Sequence, residues 1–216
     1  MVKLLFGIFS FLYIYHSRSF SCAERTENSS NLFEFLNLLG IYELLLIQKK
    51  SLPLSEYRKK VLCFNDITDQ KSIEEVEDLF WKNISFSPPL YGADIKGSIM
   101  DPGVQWNLGE LDSVLSKGLP RVISGVNVPY LYIGSWKTMF GWHKEDLDLY
   151  SINYLHHGKP KFWYALPKNE GKKLERFAKE CFTDGFSKCS EFLRHKTVMI
   201  NPYLLKKNID GLKIHK

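Results

Sequence analysis

Cysteine is scarce in this chain, and so is any excess of charge. Four cysteines in 216 residues are too few for a disulfide scaffold. Lysine and arginine number 29 against 24 acidic residues, and the net charge of +5 is compatible with a chromatin or nucleic-acid partner without favouring one. Low-complexity tracts and internal repeats are also lacking. With 44% hydrophobic residues and many aromatics, the composition is that of one globular domain with a β-rich core.

A hydrophobic run long enough to span a bilayer is lacking as well. The apolar segment Leu4–Tyr15 is too short for that, so no membrane partner is expected. With the small residues of Ser21–Ala23 behind it, the segment has the layout of a secretory signal peptide. The Leu-rich stretch Leu32–Ile47 is predicted to be helical. We interpret residues 1–48 as a leader and a Leu-rich segment of uncertain origin, for which a mispredicted exon is one explanation.

The order of predicted elements indicates a β-rich α+β fold. A capping box at Ser72–Glu75 predicts a helix through Trp81. A second, short helix is predicted over Leu108–Leu115, and a longer one over Asn169–Phe182. Between Val122 and Leu166, dense tyrosine, isoleucine and valine broken by glycine and proline predict strands. This order is typical of a double-stranded β-helix, a cupin-like jelly roll, with flanking helices.

His143 and Glu145 are the leading candidates for a metal site. Residues two apart on an extended strand point to one side, and a His-x-acid pair supplies two of the three ligands of the non-haem Fe(II) facial triad. If the strand continues, Asn153 faces the same side. A glycine–proline turn then returns Lys161 and Trp163 to this region, where a lysine suits a dicarboxylic co-substrate. A His-x-acid pair alone also occurs at solvated strand ends. The neighbouring motifs are therefore needed to choose between a strand end and a metal site.

Those motifs carry a family resemblance. Residues 125–157 resemble the Jumonji-C oxygenases almost residue for residue, and within them the JmjN–JmjC histone lysine demethylases of the lysine-specific demethylase 4 group. Further stretches that are similar to this group are Ser87–Ser98, Trp106–Gly109, Leu174–Arg176 and Phe192–Lys196. The resemblance implies that residues 49–216 are the amino-terminal part of a JmjC catalytic domain whose carboxy-terminal strands are missing.

The resemblance also implies Fe(II) as cofactor and 2-oxoglutarate as co-substrate. His143 and Glu145 match the family's iron ligands. The positions that match its 2-oxoglutarate contacts are Tyr91, Phe140, Asn153, Lys161 and Trp163. Core packing remains an alternative role for the Phe and the Trp, and an ordinary turn or hairpin position for the Tyr and the Lys.

By the same resemblance, the substrate is a methylated lysine of the histone H3 tail. Gly125, Tyr132 and Glu145 match residues whose oxygens line the methyl-ammonium pocket, and a glycine permits the close backbone approach that such a pocket needs. Asp94 matches a contact to the histone peptide, although it also suits a plain turn after Gly92. Chromatin is thus the implied partner and the nucleus the implied location, with no sequence-specific nucleic-acid binding by this segment. A secretory leader conflicts with that location.

A structural zinc ion is implied at Cys189 and His195. They match a Cys and a His of the family's zinc site, and thiolate and imidazole are preferred ligands of tetrahedral zinc. The resemblance would put the other two ligands beyond Lys216. Without the resemblance, Cys189 is simply a buried thiol.

The chain also departs from the family pattern. The third iron ligand, a later histidine, has no match, because nothing around His215 resembles that motif. Near the site, the residues that differ from the family's usual ones are Ser135, Met139, Gly141, Lys144 and His157.

Three interpretations follow from these departures. The chain is a fragment of a true demethylase, inactive as it stands; or a methyl-lysine-binding module without turnover; or a secreted protein, in which Cys181 and Cys189 could form a disulfide. We favour the first.

Overall fold

Two antiparallel sheets and a set of short helices make up the described part of the chain. The computed structural model describes residues 2–7, 19–26, 40–61 and 67–216. The strands of these residues are β1 (Val2–Gly7), β2 (Ser19–Thr26), β3 (Ile41–Glu43), β4 (Leu45–Pro53), β5 (Leu90–Lys96), β6 (Tyr130–Ile133), β7 (Thr138–His143), β8 (Lys161–Leu166) and β9 (Val198–Ile200). They form a five-stranded sheet of order β3-β9-β7-β1-β8 and a four-stranded sheet of order β4-β2-β5-β6.

The helices lie between and after the strands. They are α1 (Leu54–Val61), α2 (Ile73–Lys82), α3 (Val114–Gly118), α4 (Gly171–Cys181), α5 (Thr183–Lys188) and α6 (Pro202–Asn208). Single 3₁₀ turns occur at Leu108–Glu110, Asp146–Asp148, Lys168–Glu170 and Phe192–His195. No helix in this described portion is both long and apolar enough to cross a membrane.

The capping box predicted before α2 is confirmed. The Ser72 side chain accepts a hydrogen bond from the Glu75 amide at 3.2 Å, and the Ser72 amide donates to the Glu75 carboxylate at 2.7 Å. The helix predicted over Asn169–Phe182 is also confirmed, as a 3₁₀ turn followed by α4. The helix predicted over Leu108–Leu115 is instead split into a 3₁₀ turn and α3.

The helix predicted over Leu32–Ile47 is wrong where the structure describes it. Ile41–Glu43 is β3 and pairs antiparallel with β9, with Ile41 opposite Ile200. Ile41 and Tyr42 favour strands, and pairing with a buried strand outweighs the helix propensity of the neighbouring leucines, which is a weak preference that tertiary context overrides. Residues 32–39 of that prediction lie outside the described residues.

The apolar leader is described in part. Residues 2–7 form β1, which lies between β7 and β8, with Lys3 opposite His143 and Gly7 opposite Lys161. β7 and β8 are therefore held two strand spacings apart, roughly 9–10 Å. Residues 8–18 lie outside the described residues, and the boundary at residue 48 stays a prediction.

The main core packs helices against the five-stranded sheet. Phe80 of α2, Leu174 of α4 and Trp142 of β7 are fully buried there, together with all of β9. A smaller cluster packs Tyr57 of α1 against Ile133 of the four-stranded sheet. The core therefore fixes the end of β7, where the candidate metal ligands begin.

Gly141 is the point of closest approach between β7 and the segment that contains β9. Its amide donates to the carbonyl of Lys196 at 2.8 Å. A Cβ at this position would lie 2.6 Å from the Val198 carbonyl oxygen and 2.7 Å from that of Lys196. Both are backbone atoms, so a side chain here can be accommodated only if the strands move apart.

We expect Gly141→Ala to lower the free energy of unfolding by about 1–3 kcal/mol, because it overpacks a buried strand pair. Gly118→Ala is the matched control, since a Cβ at Gly118 meets nothing within 4 Å. Urea denaturation of both variants measures the difference. Equal stabilities would show that the strands separate at no cost.

Candidate functional site

The side chains of His143 and Glu145 converge just after β7. His143 Nε2 lies 3.5 Å from a Glu145 carboxylate oxygen, and the two side chains are 4% and 21% exposed. The other ring nitrogen, Nδ1, lies 2.7 Å from the carbonyl oxygen of Gly141. Because a carbonyl can only accept, Nδ1–H is the donor, which leaves Nε2 as the ring nitrogen that faces the carboxylate. The pair is arranged as two ligands of one cation.

A cavity of about 870 Å³ opens at this pair. The predicted site residues that line it are Gly125, Tyr132, Phe140, His143, Glu145, Asn153, Lys161 and Trp163. Side chains from β6, β7 and β8 and from the intervening loops thus face one space, which is large enough for a small co-substrate and a side chain together.

The cationic wall of the cavity is formed by Lys161 at the start of β8. Its ammonium donates to the Asn153 side-chain oxygen at 3.1 Å and lies 5.3 Å from the centre of the Trp163 ring. The Phe140 ring lies 6.5 Å from the His143 ring, so an aromatic surface connects the metal-ligand pair with the rest of the cavity. A cation, an amide and aromatic faces on one wall suit a carboxylate carried on a short hydrocarbon chain.

Tyr91 and Asp94 are not among the residues that line the cavity; they support Tyr132. The Tyr132 hydroxyl donates to the Asp94 carboxylate at 2.9 Å. The Tyr91 ring lies 5.9 Å from that of Tyr132 and 5.5 Å from that of Phe140. Burial, then the Asp94 charge, raises the pKa of Tyr132 well above its usual range, so this phenol stays protonated. A contact between Tyr91 or Asp94 and a ligand therefore stays a prediction.

Gly125 is another residue that lines the cavity. Its φ of +80° lies in the left-handed region, and a Cβ there would meet the Tyr130 ring at 2.5 Å. Both the backbone conformation and the space thus require glycine. Its main chain borders the cavity without a side chain between, as the predicted role requires.

The predicted alternation from His143 to Asn153 is wrong, because the strand ends at His143. A 3₁₀ turn follows at Asp146–Asp148, and Leu147 and Asp148 have φ values of 52° and 53°. Asn153 reaches Lys161 through an irregular loop rather than through strand parity.

The predicted zinc ligands lie apart from this cavity. Cys189 follows α5, and His195 is in the 3₁₀ turn before β9. Cys181 and Cys189 are both free thiols, so the disulfide that the secreted interpretation allowed between them is not formed. Across the described ranges, no group of three or more histidine, cysteine, aspartate or glutamate side chains is placed to hold a metal ion. His215 hydrogen-bonds to Ala165 through its backbone and does not line the cavity.

Two basic residues near Glu145 were not among the predicted site residues. Lys196 lines the cavity, with its ammonium 3.6 Å from the Glu145 carboxylate and 5.8 Å from the centre of the Phe140 ring. Arg194 donates to the Glu145 backbone carbonyl. Both belong to the stretch Phe192–Lys196, but no local pattern connects that stretch with a motif about fifty residues earlier in the chain.

Comparison with known proteins relates the chain to one family. Residues 130–216 match the JmjC domain family, described as a JmjC domain, hydroxylase. The chain is 47% identical over 173 residues to lysine-specific demethylase 4B of Mus musculus, which covers 78% of this chain and 16% of that protein.

Two further relatives give the same result. Identity is 46% over 166 residues with lysine-specific demethylase 4D of Rattus norvegicus, covering 74% of this chain and 32% of that protein. It is 45% over 166 residues with probable lysine-specific demethylase 4F of Homo sapiens, covering 74% of this chain and 26% of that protein. The chain thus spans a third or less of the relatives it matches. Residues 130–216 thus match a JmjC domain, and most of the chain is similar to lysine-specific demethylases of the 4 group.

Proposed function

We propose that this chain provides the metal and co-substrate half of an Fe(II)- and 2-oxoglutarate-dependent histone lysine demethylase. The observation that carries the proposal is the convergence of His143 Nε2 and the Glu145 carboxylate in a cavity whose other wall bears Lys161. The two antiparallel sheets are then part of a double-stranded β-helix. The methylated histone H3 tail is the substrate, chromatin the partner and the nucleus the place of action.

In this proposal His143 and Glu145 hold the iron, and each has a defined contribution. The Gly141 carbonyl keeps a proton on His143 Nδ1, so Nε2 is the nitrogen that would bind the metal. Glu145 adds a negative charge that offsets part of the charge of the cation. Iron, oxygen and 2-oxoglutarate together supply the oxidation that hydroxylates an N-methyl group, which then leaves as formaldehyde.

Lys161 orients the co-substrate in the same proposal. Its ammonium binds the far carboxylate of 2-oxoglutarate, Asn153 contacts the same molecule, and Phe140 and Trp163 exclude water from its carbon chain. Gly125, Tyr132 and Glu145 present oxygen atoms toward the methylated ammonium, with Asp94 holding the Tyr132 hydroxyl. Cys189 and His195 are proposed as two ligands of a structural zinc ion.

A binding module without turnover is the second candidate function. The number of metal ligands favours this candidate, because in the described part of the chain no third histidine or carboxylate joins His143 and Glu145. A two-ligand site binds iron weakly, whereas an oxygen-lined pocket holds a methylated ammonium without any metal.

Removing the Lys161 charge is expected to weaken 2-oxoglutarate binding. In Lys161→Met, with Mn(II) as a redox-inert metal, the dissociation constant should rise roughly tenfold to a hundredfold, because a charge-assisted hydrogen bond is lost. Lys159→Met is the matched control, since Lys159 pairs with Asp69 and does not line the cavity. Calorimetry measures both, and equal effects of the two variants would remove Lys161 from the binding site.

Formaldehyde release separates the two candidate functions. A panel of trimethyl-lysine histone H3 peptides is incubated with the chain, Fe(II), 2-oxoglutarate and oxygen, with and without imidazole as a substitute third ligand. We expect traces without imidazole and, with it, release at least about tenfold above that of His143→Ala, because an imidazole completes the facial triad. Peptide binding with release no greater than that of His143→Ala, whether or not imidazole is present, would instead establish the binding module.

A further inference from the structure

The turn that follows Glu145 has a backbone conformation that needs outside support. Leu147 and Asp148 are consecutive non-glycine residues with positive φ, and such residues persist where surrounding contacts hold them. Within the turn, the Asp148 amide donates to the Glu145 carbonyl at 3.1 Å, and the Leu149 amide donates to the Asp146 carbonyl at 3.1 Å. Both bonds join residues of the turn to each other, so they do not fix the orientation of the turn relative to the sheet.

Arg194 supplies the contacts from outside the turn. Its Nη1 donates to the Glu145 backbone carbonyl, and its Nη2 donates to the Asp148 carboxylate at 3.1 Å. Its Nε donates to Glu191 at 2.6 Å, a third contact that lies outside the turn. One planar group therefore binds the first and the last residue of the turn at once, which a lysine cannot do with a single ammonium.

The charges around Arg194 fit this role. Arg194 lies between two carboxylates, with its Nε 2.6 Å from Glu191 and its Nη2 3.1 Å from Asp148. The Arg194 side chain is 22% exposed, against 71% for Asp148, so the arginine end of the pair is the more enclosed. Arg194 lies in the 3₁₀ turn that leads into β9, so the contact connects the ligand turn with the most deeply buried strand.

We propose that Arg194 is a positioning residue that fixes Glu145 for metal binding by holding the Glu145 carbonyl and the Asp148 carboxylate together. The inference rests on the proposed metal site. Glu145 has only its side-chain torsions left to adjust once its carbonyl is fixed. The carboxylate is then presented beside His143 Nε2 before any metal arrives, and a preorganised ligand binds more tightly than one that must be ordered.

The test compares Arg194→Lys with Glu191→Gln in the full chain. Mn(II) affinity is measured by the paramagnetic resonance of free Mn(II) in the presence of 2-oxoglutarate, and amide hydrogen exchange is measured without metal. Arg194→Lys should weaken Mn(II) binding about tenfold to a hundredfold, as loss of a residue that orients a ligand does. It should also speed exchange at Asp148 and Leu149, while the strands around Trp142 keep their protection.

Glu191→Gln keeps both contacts to the turn, so its Mn(II) affinity should stay within about twofold of the unmodified chain. If Arg194→Lys does not fold, Asp148→Ala takes its place, since it removes one of the same two contacts at an exposed position, and it should weaken Mn(II) binding at least several-fold. Mn(II) affinity unchanged in the folded variant would overturn the positioning role. If the unmodified chain binds Mn(II) no better than His143→Ala, the proposed function fails instead, and exchange at Asp148 and Leu149 alone decides whether Arg194 holds the turn.

Discussion

The close approach of β7 to residues 196–200 at Gly141 is the constraint on which the candidate site depends. On one side of Gly141, its amide binds the Lys196 carbonyl; on the other, its own carbonyl accepts from His143 Nδ1. The neighbouring Trp142 is fully buried and donates to the Ile200 carbonyl at 2.9 Å. One strand pair therefore sets the tautomer of His143 and brings the basic residues 194 and 196 next to Glu145. A side chain at residue 141 would change both at once.

Opposite charges are distributed over the cavity in a way that suits a doubly charged metal and a dicarboxylate. Glu145 is the carboxylate beside His143, and Lys196 approaches it from the end of the 3₁₀ turn that precedes β9. Lys161 lies on β8, which β1 separates from β7. On the other face of the ligand motif, Lys144 forms an ion pair with Glu175 of α4 at 2.6 Å, so the charge of Lys144 is engaged outside the cavity. A ligand that binds metal at one end and a cation at the other fits this separation.

Local patterns predicted the parts of this structure that local interactions determine. The capping box placed α2, and the spacing of apolar residues placed α4, because each depends on neighbours within a few residues. The convergence of His143 and Glu145 is also local, since the backbone of Glu145 is still extended (φ −71°, ψ 154°) just past the end of β7. Asn153 lines the same cavity as His143, but strand alternation is not the reason. Leu147 and Asp148 have positive φ and end the alternation, and Asn153 reaches the cavity through the irregular loop that follows.

Tertiary contacts account for what the sequence did not predict. Arg194 and Lys196 reach Glu145 across about fifty residues, and no local periodicity encodes such a distance. Strand formation at Ile41–Glu43 likewise depends on pairing with β9, which lies near the other end of the chain. The tight contact at Gly141 depends on the backbone of Val198, which the sequence around Gly141 does not specify.

Whether His143, Glu145 and Lys161 form one site is tested most directly by the coupling between metal binding and co-substrate binding. If His143, Glu145 and Lys161 form one site, 2-oxoglutarate should tighten Mn(II) binding by about tenfold or more, and Mn(II) should tighten 2-oxoglutarate binding by the same factor, as thermodynamic linkage requires. Calorimetric titration of the full chain with each ligand, alone and with the other at saturation, measures both factors. Affinities for Mn(II) that are equal with and without 2-oxoglutarate would contradict a shared site.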